Sequence, residues 1–355
     1  MKYKIAVVGA GFFGSLISIK VSELKNIEVD LFEKRDDILL SASGKNQMRA
    51  HSGYHYPRSN ETVEEIQNSM RIFEDFFPKN IFEKTTNYYS IAKKNSKTKS
   101  HQYLNFLKKN KLFFEEVDDF EYFKKKNIDK IFKVKEKIIN IFKVRVFLKK
   151  KIKQNKINLF LNKEFTKDKI NNYDYIFYAT YNENNLNIKD LTKKIKKKKF
   201  ELVEKILVKM PRYFDKKSIV VLDGYFVCID PYLGTNLHLL SDVKFSKIEK
   251  QYKNFPNFKS KLKKYLNRNL IKNIKISKFN KFIKNSSKYL PILKDAKYYG
   301  SFYVVRSIDK DKNDKRITNI SKINNKIYTI YSGKWINSVA TSNKIKSILR
   351  QKINY

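Results

Sequence analysis

The chain has almost no cysteine: one residue, Cys228, in 355. A single cysteine excludes an internal disulfide and an all-cysteine metal site. No apolar run reaches the roughly 18 residues of a membrane span. The first apolar strand begins almost at Met1, which leaves no room for a signal peptide. We therefore expect a soluble protein without a membrane span, in a reducing, cytoplasmic setting.

Acidic residues are also scarce, with 35 Asp and Glu against 77 Lys and Arg and a formal charge of +42. Such a charge ordinarily suggests nucleic acid or an anionic membrane as partner. The chain is poor in Gly and Pro but rich in Lys, Asn, Ile, Phe and Tyr, which is the residue set that an AT-rich genome encodes. The lysines are spread along the chain, and the one dense run, 192–200, is typical of a solvated linker. We expect a solvated basic surface and no nucleic-acid site.

Apolar periodicity predicts the organisation of the fold. "KYKIAVVGAG" is typical of a buried strand and tight turn, a helix follows over 11–24, and "IEVDLFE" is a second strand. Further buried strands are predicted in 173–180 and in "KIYTIYSG", with antiparallel-looking strands between them. We expect helices over 62–77, begun by a capping box of Thr62 and Glu65, and over most of 248–270.

This order predicts an α/β fold (α+β overall). A Rossmann-like cofactor domain is assembled from separated segments and interleaved with a mainly antiparallel β-sheet substrate domain. The cofactor domain takes 1–84, 131–190 and 306–355, and the substrate domain takes 85–130 and 191–305.

A dinucleotide fingerprint lies between the first strand and helix. Gly9, Gly11 and Gly14 fit G-x-G-x-x-G, and Glu33 ends the second strand. The glycines permit a tight turn, the approach of a pyrophosphate to the helix N-terminus and close helix–strand packing. The Glu33 carboxylate can accept hydrogen bonds from an adenosine ribose and would repel a 2′-phosphate, which argues against NADP. A glycine turn without a ligand would not explain Glu33.

The segment after Glu33 favours FAD over NAD. An NAD domain typically continues to another helix and strand, whereas "KRDDILLSASGKNQMRAHSGYHYP" is small, polar and then aromatic. Such a segment can run extended along a long cofactor. Its amides and the side chains of Ser41, Ser43 and Asn46 would then contact pyrophosphate and flavin.

With these motifs the sequence resembles the FAD-dependent oxidoreductases of the D-amino-acid oxidase family, a group that includes glycine oxidase, L-2-hydroxyglutarate dehydrogenase and glycerol-3-phosphate dehydrogenase. The matching pieces are, in family order, "VVGAGFFGS", "LFEK", "SASGKNQMRAHSGYHYP", "YDYIFYAT" and "YSGKWINSVATS". The third is the most specific, because it resembles the small-residue loop ending in His-x-Gly of the hydroxyacid and glycerophosphate members.

The resemblance implies FAD as cofactor and a role for each motif. The residues that it places at FAD are Gly9, Gly11, Gly14, Glu33 and Lys34 at the ADP half; Ser41, Ser43, Asn46 and Gln47 along the pyrophosphate and flavin; Ile138 or a neighbour at the adenine; Ala179 and Thr180 in a second dinucleotide-contact turn; and Gly333 and Lys334 at the flavin pyrimidine edge. The sequence departs from the family at Tyr181, where the second turn usually ends in glycine.

His51 and His55 are spaced like two metal ligands on a helix. Gly53 between them and Pro57 after them argue against a helix, and Ser52 stands where HExxH requires glutamate. We therefore expect no metal. By resemblance His51 lies at the flavin, as a base, a hydrogen-bond donor, a covalent tether or simply a buried histidine.

Several other residues are candidates for the substrate side. Tyr54, His55 and Tyr56 would line the substrate cavity. By resemblance Arg306 would clamp a substrate carboxylate, because a guanidinium can bind it through two hydrogen bonds; the alternative is an exposed arginine at a strand end. Weaker candidates for the cavity are Tyr225, Tyr232 and His238, while Asp230 and Asp242 are expected to be turn residues.

The combined hypothesis is an FAD-dependent oxidoreductase acting on CH–OH or CH–NH groups. Its substrate would be a small hydroxy or amino compound bearing a carboxylate, which passes a hydride to flavin N5. The electron acceptor would be oxygen or a quinone-linked partner. The alternatives are a flavoenzyme acting on modified RNA and an FAD-bound scaffold without turnover.

Overall fold

A computed structural model describes residues 2–118, 120–193, 195–224, 226–309 and 317–353. The strands of the described chain are, in order, β1 (Tyr3–Val8), β2 (Ile27–Phe32), β3 (Arg49–Ala50), β4 (Phe82–Glu83), β5 (Thr86–Ala92), β6 (Phe114–Val117), β7 (Ile128–Val134), β8 (Lys137–Ile139), β9 (Asn158–Phe160), β10 (Tyr175–Tyr178), β11 (Lys198–Lys209), β12 (Lys217–Leu222), β13 (Val227–Tyr232), β14 (Leu237–Asp242), β15 (Lys247–Lys253), β16 (Lys297–Ile308), β17 (Asn319–Lys322) and β18 (Ile327–Tyr331). The helices are α1 (Phe12–Val21), α2 (Asn60–Phe76), α3 (Ser100–Lys109), α4 (Ile141–Gln154), α5 (Asn184–Asn187), α6 (Phe279–Ser286) and α7 (Ser338–Ile353).

A six-stranded sheet carries the glycine motif. Its order is β17-β18-β10-β1-β2-β9, and every pair is parallel except β17 with β18. Alternate residues of β1 face two apolar layers, with Ile5 and Val7 in one and Ala6 and Val8 in the other. A strand buried on both faces reads as a continuous apolar run, which is why the sequence shows it so clearly. The predicted α/β class with a Rossmann-like sheet is confirmed.

A second, nine-stranded sheet forms the other half of the molecule. It runs β15-β11-β14-β13-β12-β5-β7-β6, with β16 also paired to β11, and only β12 with β5 is parallel. The antiparallel strands β3, β8 and β4 make a small third sheet. The expected boundaries at residues 130 and 305 fall inside strands, because β7 continues to Val134 and β16 to Ile308.

Register decides which face of the large sheet each side chain occupies. Tyr89 lies opposite Val220, Val220 opposite Cys228, and Cys228 opposite Ser241, so these four share one face. His238 is an odd number of residues from Ser241 and therefore lies on the other face. There it is buried, its ring is 5.3 Å from that of Phe214, and neither of its nitrogens has a hydrogen-bond partner among the described residues.

The buried Arg49 guanidinium ties the small sheet to the large one. Arg49 Nη1 donates to Glu136 Oε2 at 2.9 Å, and Nη2 donates to Ser218 Oγ and forms an ion pair with Asp230. Arg49 is on β3, Glu136 joins β7 to β8, and Asp230 is on β13. Asp230 was expected to be a turn residue, and this expectation is wrong, since it is fully buried within a strand.

Two local predictions are also wrong. Helix α2 begins at Asn60 rather than Thr62, and the capping box does not form, because Ser59 occupies the N-cap and its hydroxyl bonds that of Thr62. Much of 248–270 was expected to be helical, but β15 occupies its first part and a 3₁₀ turn, Lys261–Tyr265, the middle. β15 pairs along the first half of the long strand β11, so tertiary pairing outweighs a weak helical pattern. No helix in the described part of the chain is long and apolar enough to cross a membrane.

The burial of His238 makes a prediction about acid stability. Burial lowers the pKa of His238 to about 4, whereas the unfolded chain takes up that proton near its ordinary pKa of about 6.5. Below pH 6.5 the unfolded chain therefore binds more protons than the folded one. The contribution of His238 to the free energy of unfolding is complete above that pH and is lost as the pH falls. From pH 7 to 5 this group should cost about 2 kcal/mol of unfolding free energy. His238→Phe should remove that part of the loss in urea titrations, and the exposed control His101→Gln should not; equal pH slopes for the two variants would contradict it.

Arg49 should be far more important for stability than a surface arginine. Arg49→Met leaves Glu136 and Asp230 buried without their counter-charge, which should cost about 3–5 kcal/mol. The control is Arg71→Met, since the Arg71 side chain is 91% exposed and 3.9 Å from Asp75. The control should change the unfolding free energy by less than about 0.5 kcal/mol. Urea unfolding of both variants measures the difference, and similar losses would refute the structural role of Arg49.

Candidate active site

The glycine turn and the end of β10 meet at one edge of the six-stranded sheet. Gly9 has φ +96°, and a Cβ on it would lie 3.1 Å from the carbonyl oxygen of Ala179 and 3.2 Å from Cγ2 of Thr180. A Cβ on Gly14 would lie 1.8 Å from the Gly9 carbonyl oxygen, so helix α1 can approach the turn only with glycine there. The structure therefore brings both predicted dinucleotide-contact turns together.

Ser43 lies at the N-terminus of helix α1. Its Oγ accepts a hydrogen bond from the Phe12 amide at 3.3 Å, and a Cβ on Gly11 would be 2.9 Å from this oxygen. The first amides of a helix have no partner within the helix, so an oxygen that accepts their hydrogen bonds occupies a position that also suits a phosphate oxygen. Ser41 lies nearby in the chain and accepts a hydrogen bond from Arg35 Nε at 3.0 Å.

Glu33 is held by backbone amides. Its two carboxylate oxygens accept hydrogen bonds from Ala10 at 2.9 Å and from Arg35 at 3.1 Å. Burial raises the pKa of Glu33, although these two amides act in the opposite direction. Each carboxylate oxygen has a second lone pair, so hydroxyl donors can still bind. Lys34 points to a different partner, the carboxylate of Glu183.

Tyr181 shows how the second turn forms without the usual glycine. Its backbone adopts φ +56°, the left-handed region that glycine normally supplies. The ring stacks on Tyr331 at 5.7 Å and 8°, and the hydroxyl bonds both the amide and the carbonyl of Ser307. These contacts hold the unfavourable backbone in place, so Ala179 and Thr180 still face Gly9.

Ile138 lies away from the glycine turn, in the small sheet. It is fully buried, and its strand pairs with Arg49 on one side and Glu83 on the other. The backbone beside Glu33 belongs instead to Phe160 and Lys163. The predicted contact of Ile138 with adenine therefore has no support from its position.

Asn46 and Gln47 contact the substrate sheet. Gln47 Nε2 donates to Ser241 Oγ at 2.6 Å, and the amide oxygens of both residues accept hydrogen bonds from Lys205. Burial and then the nearby charge of Arg306 lower the pKa of Lys205 to about 8. No local pattern marks Lys205, because it is one lysine among very many.

His51 lies in a cluster of aromatic rings where the small sheet, the large sheet and the closing loop meet. The rings of His55 and Tyr56 are each 5.6 Å from that of His51, and Tyr89 lies 6.3 Å from His55. The amine of Lys334, on the loop after β18, is 3.0 Å from the centre of the Tyr56 ring. The structure therefore brings together His51, His55 and Lys334 from two separate motifs.

Glu136 is the acidic member of this cluster, and the sequence analysis missed it. Its Oε1 is 3.4 Å from His51 Nδ1, and its Oε2 accepts hydrogen bonds from Arg49 and from the Tyr89 hydroxyl. Burial alone would raise the pKa of Glu136, but these neighbours hold it well below its usual range. Glu136 is therefore a carboxylate, and its place in "KVKEKIIN" gave no sign of this.

Burial lowers the pKa of three basic groups in this cluster, His51, His55 and Lys334. Burial lowers the pKa of His51 even though Glu136 acts to raise it. Burial and then the charges of His51, Lys334 and Arg49 lower the pKa of His55 further. Burial also lowers the pKa of Lys334 well below its ordinary value. A neutral imidazole can accept a proton, so this environment suits a base.

The closing loop presents polar atoms that lack protein partners. Gly333 is exposed between the buried Ser332 and Lys334. Asn337 Oδ1 and Ser338 Oγ, at the N-terminus of α7, are buried with no hydrogen-bond partner among the described residues. Among the described residues, no carboxylate lies within ion-pair distance of Lys334 Nζ. Buried orphan groups at a helix N-terminus fit a bound polar ligand.

Other predicted residues have their polar groups engaged elsewhere. The Arg306 guanidinium is paired with Glu201 on the adjacent strand, and the Tyr54 hydroxyl donates to the Phe113 carbonyl at 2.7 Å. The Tyr232 hydroxyl donates to the Gly44 carbonyl. Asp242 accepts two backbone amides after β14, as expected of a turn residue. Tyr225 lies outside the described residues.

The described residues hold no cluster of metal ligands, and an open cavity lies elsewhere on the large sheet. No group of three or more metal-ligating side chains occurs in residues 2–353 apart from the stretches left undescribed. An open cavity of about 500 Å³ lies where 272–279 meets the start of β16, and it is lined by Lys272, Ile274, Phe279, Ala296, Lys297, Tyr298 and Tyr299. Among the described residues, its lining includes no histidine and no carboxylate.

Sequence comparison gives short matches. No protein-family model matches the chain. An FAD-dependent monooxygenase, FPY4 of Fusarium mangiferae, is 26% identical over 152 residues, which are 42% of this chain and 40% of that protein. The chain thus spans less than half the length of this curated relative.

Structural comparison covers nearly the whole chain. Glycine oxidase from Geobacillus kaustophilus matches with a TM-score of 0.69 and 10% identity, over 98% of this chain and 94% of its own. Dithionite-reduced L-α-glycerophosphate oxidase from Mycoplasma pneumoniae with FAD bound also matches at 0.69, with 14% identity over the same shares of the two chains. The chain therefore has the fold of the FAD-dependent oxidoreductases of the D-amino-acid oxidase family, as its motifs predicted.

Proposed function

We propose that the protein is an FAD-dependent oxidoreductase that oxidises a small hydroxy or amino compound. The observation that carries the proposal is that His51 and the buried Lys334 amine both contact Tyr56, in one cluster at the junction of the dinucleotide-type sheet and the large sheet. Similar structures include an amino-acid oxidase and a glycerophosphate oxidase, which supports either class of substrate.

The residues present fit FAD. Gly9, Gly11 and Ser43 would hold the pyrophosphate at the N-terminus of α1, and the remaining lone pairs of Glu33 would bind the ribose. When bound, FAD supplies the redox chemistry by accepting a hydride at flavin N5. The polar atoms of Asn337 and Ser338, which lack partners in the protein, would gain partners at the flavin end.

Lys334 and the N-terminus of α7 would favour negative charge on a ligand. The amine of Lys334 is buried, and α7 begins four residues after it. A helix N-terminus carries partial positive charge, and its effect is strong where water is excluded. An anionic ligand group beside Lys334 would also restore the pKa that burial lowers, so the amine would bind as an ammonium.

His51 would remove the substrate proton. A hydroxy compound must lose its O–H proton as the C–H bond breaks, and a neutral imidazole can take it near pH 7. Lys205, which faces the same side of the large sheet as Ser241, would attract a substrate carboxylate. This assignment is favoured over Arg306, because the Arg306 guanidinium is already paired with Glu201.

The position of Ser43 predicts a variant that separates folding from cofactor binding. In Ser43→Asp the new carboxylate would accept the Phe12 amide and suit the helix N-terminus, but it would repel a pyrophosphate. We expect FAD affinity to fall at least about tenfold while the melting temperature of the FAD-free protein does not fall. The matched neutral control is Ser43→Asn, and FAD titration followed by fluorescence measures both. Equal FAD affinity in the two variants would show that the pyrophosphate does not bind at this site.

His51 is tested by the rate of flavin reduction. His51→Asn should lower the anaerobic reduction rate by about 10²–10⁴-fold, the usual contribution of a general base, while FAD content stays constant. The exposed control His101→Asn should leave the rate unchanged. A normal rate in His51→Asn would show that another group takes the proton.

A substrate screen tests the proposal as a whole. Purified protein is mixed anaerobically with small hydroxy and amino acids, and bleaching of the flavin absorbance is recorded. Protein that is colourless and releases no FAD on denaturation would end the proposal. Yellow protein that no candidate bleaches, although dithionite does, would favour an FAD-bound scaffold.

A further inference from the structure

Glu136 occupies the short link between β7 and β8 and is almost completely buried. Its Oε2 accepts hydrogen bonds from Arg49 Nη1 at 2.9 Å and from the Tyr89 hydroxyl at 2.6 Å. Its Oε1 accepts the Ser52 amide at 3.1 Å. A carboxylate oxygen can accept two hydrogen bonds, so Oε1 has room for one more donor.

The His51 ring faces this remaining position. Its Nδ1 is 3.4 Å from Glu136 Oε1, and Nδ1 is buried with no hydrogen-bond partner among the described residues. At this distance the carboxylate would attract a hydrogen on Nδ1, whereas it would repel a lone pair there. The contact therefore favours the tautomer with hydrogen on Nδ1. The side chain remains 20% exposed, which leaves the ring accessible from another side.

We propose that Glu136 is a positioning residue for His51, which holds the imidazole with hydrogen on Nδ1 and so keeps Nε2 free to accept the substrate proton. The inference rests on the proposed function of His51 as a base. In the oxidation of an alcohol, the hydroxyl proton would pass to Nε2. The carbon that bears the hydroxyl would give its hydride to FAD, which leaves a carbonyl product. Glu136 itself would exchange no proton.

The charges around His51 explain why a carboxylate is needed there. Arg49 and Lys334 both disfavour a protonated His51, and the neighbouring His55 ring carries no compensating negative charge. Glu136 is the one acidic group among those that shift the pKa of His51. An imidazolium formed at Nε2 would therefore be stabilised by this carboxylate, as the acid does in a Ser-His-Asp triad.

The direct test is the tautomer of His51, read by ¹⁵N NMR of histidine-labelled protein and assigned by the loss of its signals in His51→Asn. The wild type should show hydrogen on Nδ1 and an unprotonated Nε2 at pH 7 to 8. In Glu136→Gln the side-chain amide oxygen would accept the hydrogen bond from Arg49, and the side-chain N–H would donate to His51 Nδ1. The imidazole hydrogen should therefore move from Nδ1 to Nε2. A wild-type ring with hydrogen on Nε2 would overturn the proposal without any variant at position 136.

The matched control removes another hydrogen bond of the same carboxylate. Tyr89→Phe deletes the hydroxyl that bonds Oε2 but leaves Oε1 and His51 untouched. It should keep the wild-type tautomer, whereas Glu136→Gln should not, and Glu136→Asp should restore it at least in part. If Tyr89→Phe changed the tautomer as much as Glu136→Gln, a general disturbance of the network would explain both, and the specific role of Glu136 would be lost.

Flavin reduction provides the second measurement. With equal FAD content, Glu136→Gln should slow anaerobic reduction by about 10²–10⁴-fold and shift its pH profile, while the exposed control His101→Asn should keep the rate and the profile of the wild type. The two proposals fail separately. A wild-type rate in His51→Asn would disprove the base but leave the tautomer result standing, and a slow His51→Asn beside a normal Glu136→Gln would disprove only the role of Glu136.

Discussion

The Arg49 guanidinium joins the parts of this molecule that form the candidate site. It is buried between two carboxylates, Glu136 and Asp230. Asp230 lies on β13 of the large sheet, and Glu136 lies in the link from β7 of the large sheet to β8 of the small one. A buried ion of this kind is costly unless its partners are well placed, so the three elements can adopt few other arrangements. Arg49 therefore fixes where the segment after β3, with His51 and His55, meets the large sheet.

The chemistry of the site follows from that arrangement. His51, Arg49 and Tyr89 lower the pKa of Glu136, and burial lowers the pKa of the neighbouring His51 imidazole. The pKa values of neighbouring groups are thus moved apart, which is a common property of acid–base sites. Lys334 reaches the same cluster from the loop after β18, and burial lowers the pKa of its amine.

How well each residue could be predicted depended on whether its signal was local. The glycine motif, Glu33 and the first strands could be predicted from the sequence, because a tight turn and a strand buried on both faces each produce a local residue pattern. Tyr181 was a departure from the pattern, and its stacking on Tyr331 with the hydrogen bonds of its hydroxyl to Ser307 shows how the turn forms without glycine. Glu136, Lys205 and Asp230 had no local signal, and their roles come from neighbours distant in sequence.

By itself, the sequence determined that a dinucleotide-type sheet opens the chain and that "HSGYHYP" is not a helix, because Gly53 and Pro57 disfavour helical backbone at their own positions. The tertiary structure decided the rest. Strand register puts Ser241 on the face toward the site and His238 on the other, and pairing of β11 makes β15 a strand. Burial then lowers the pKa values of His51 and Lys334, whereas the neighbours of Glu136 lower its pKa against the effect of burial. Register, pairing and burial depend on residues far apart in the chain, so no local pattern could have revealed them.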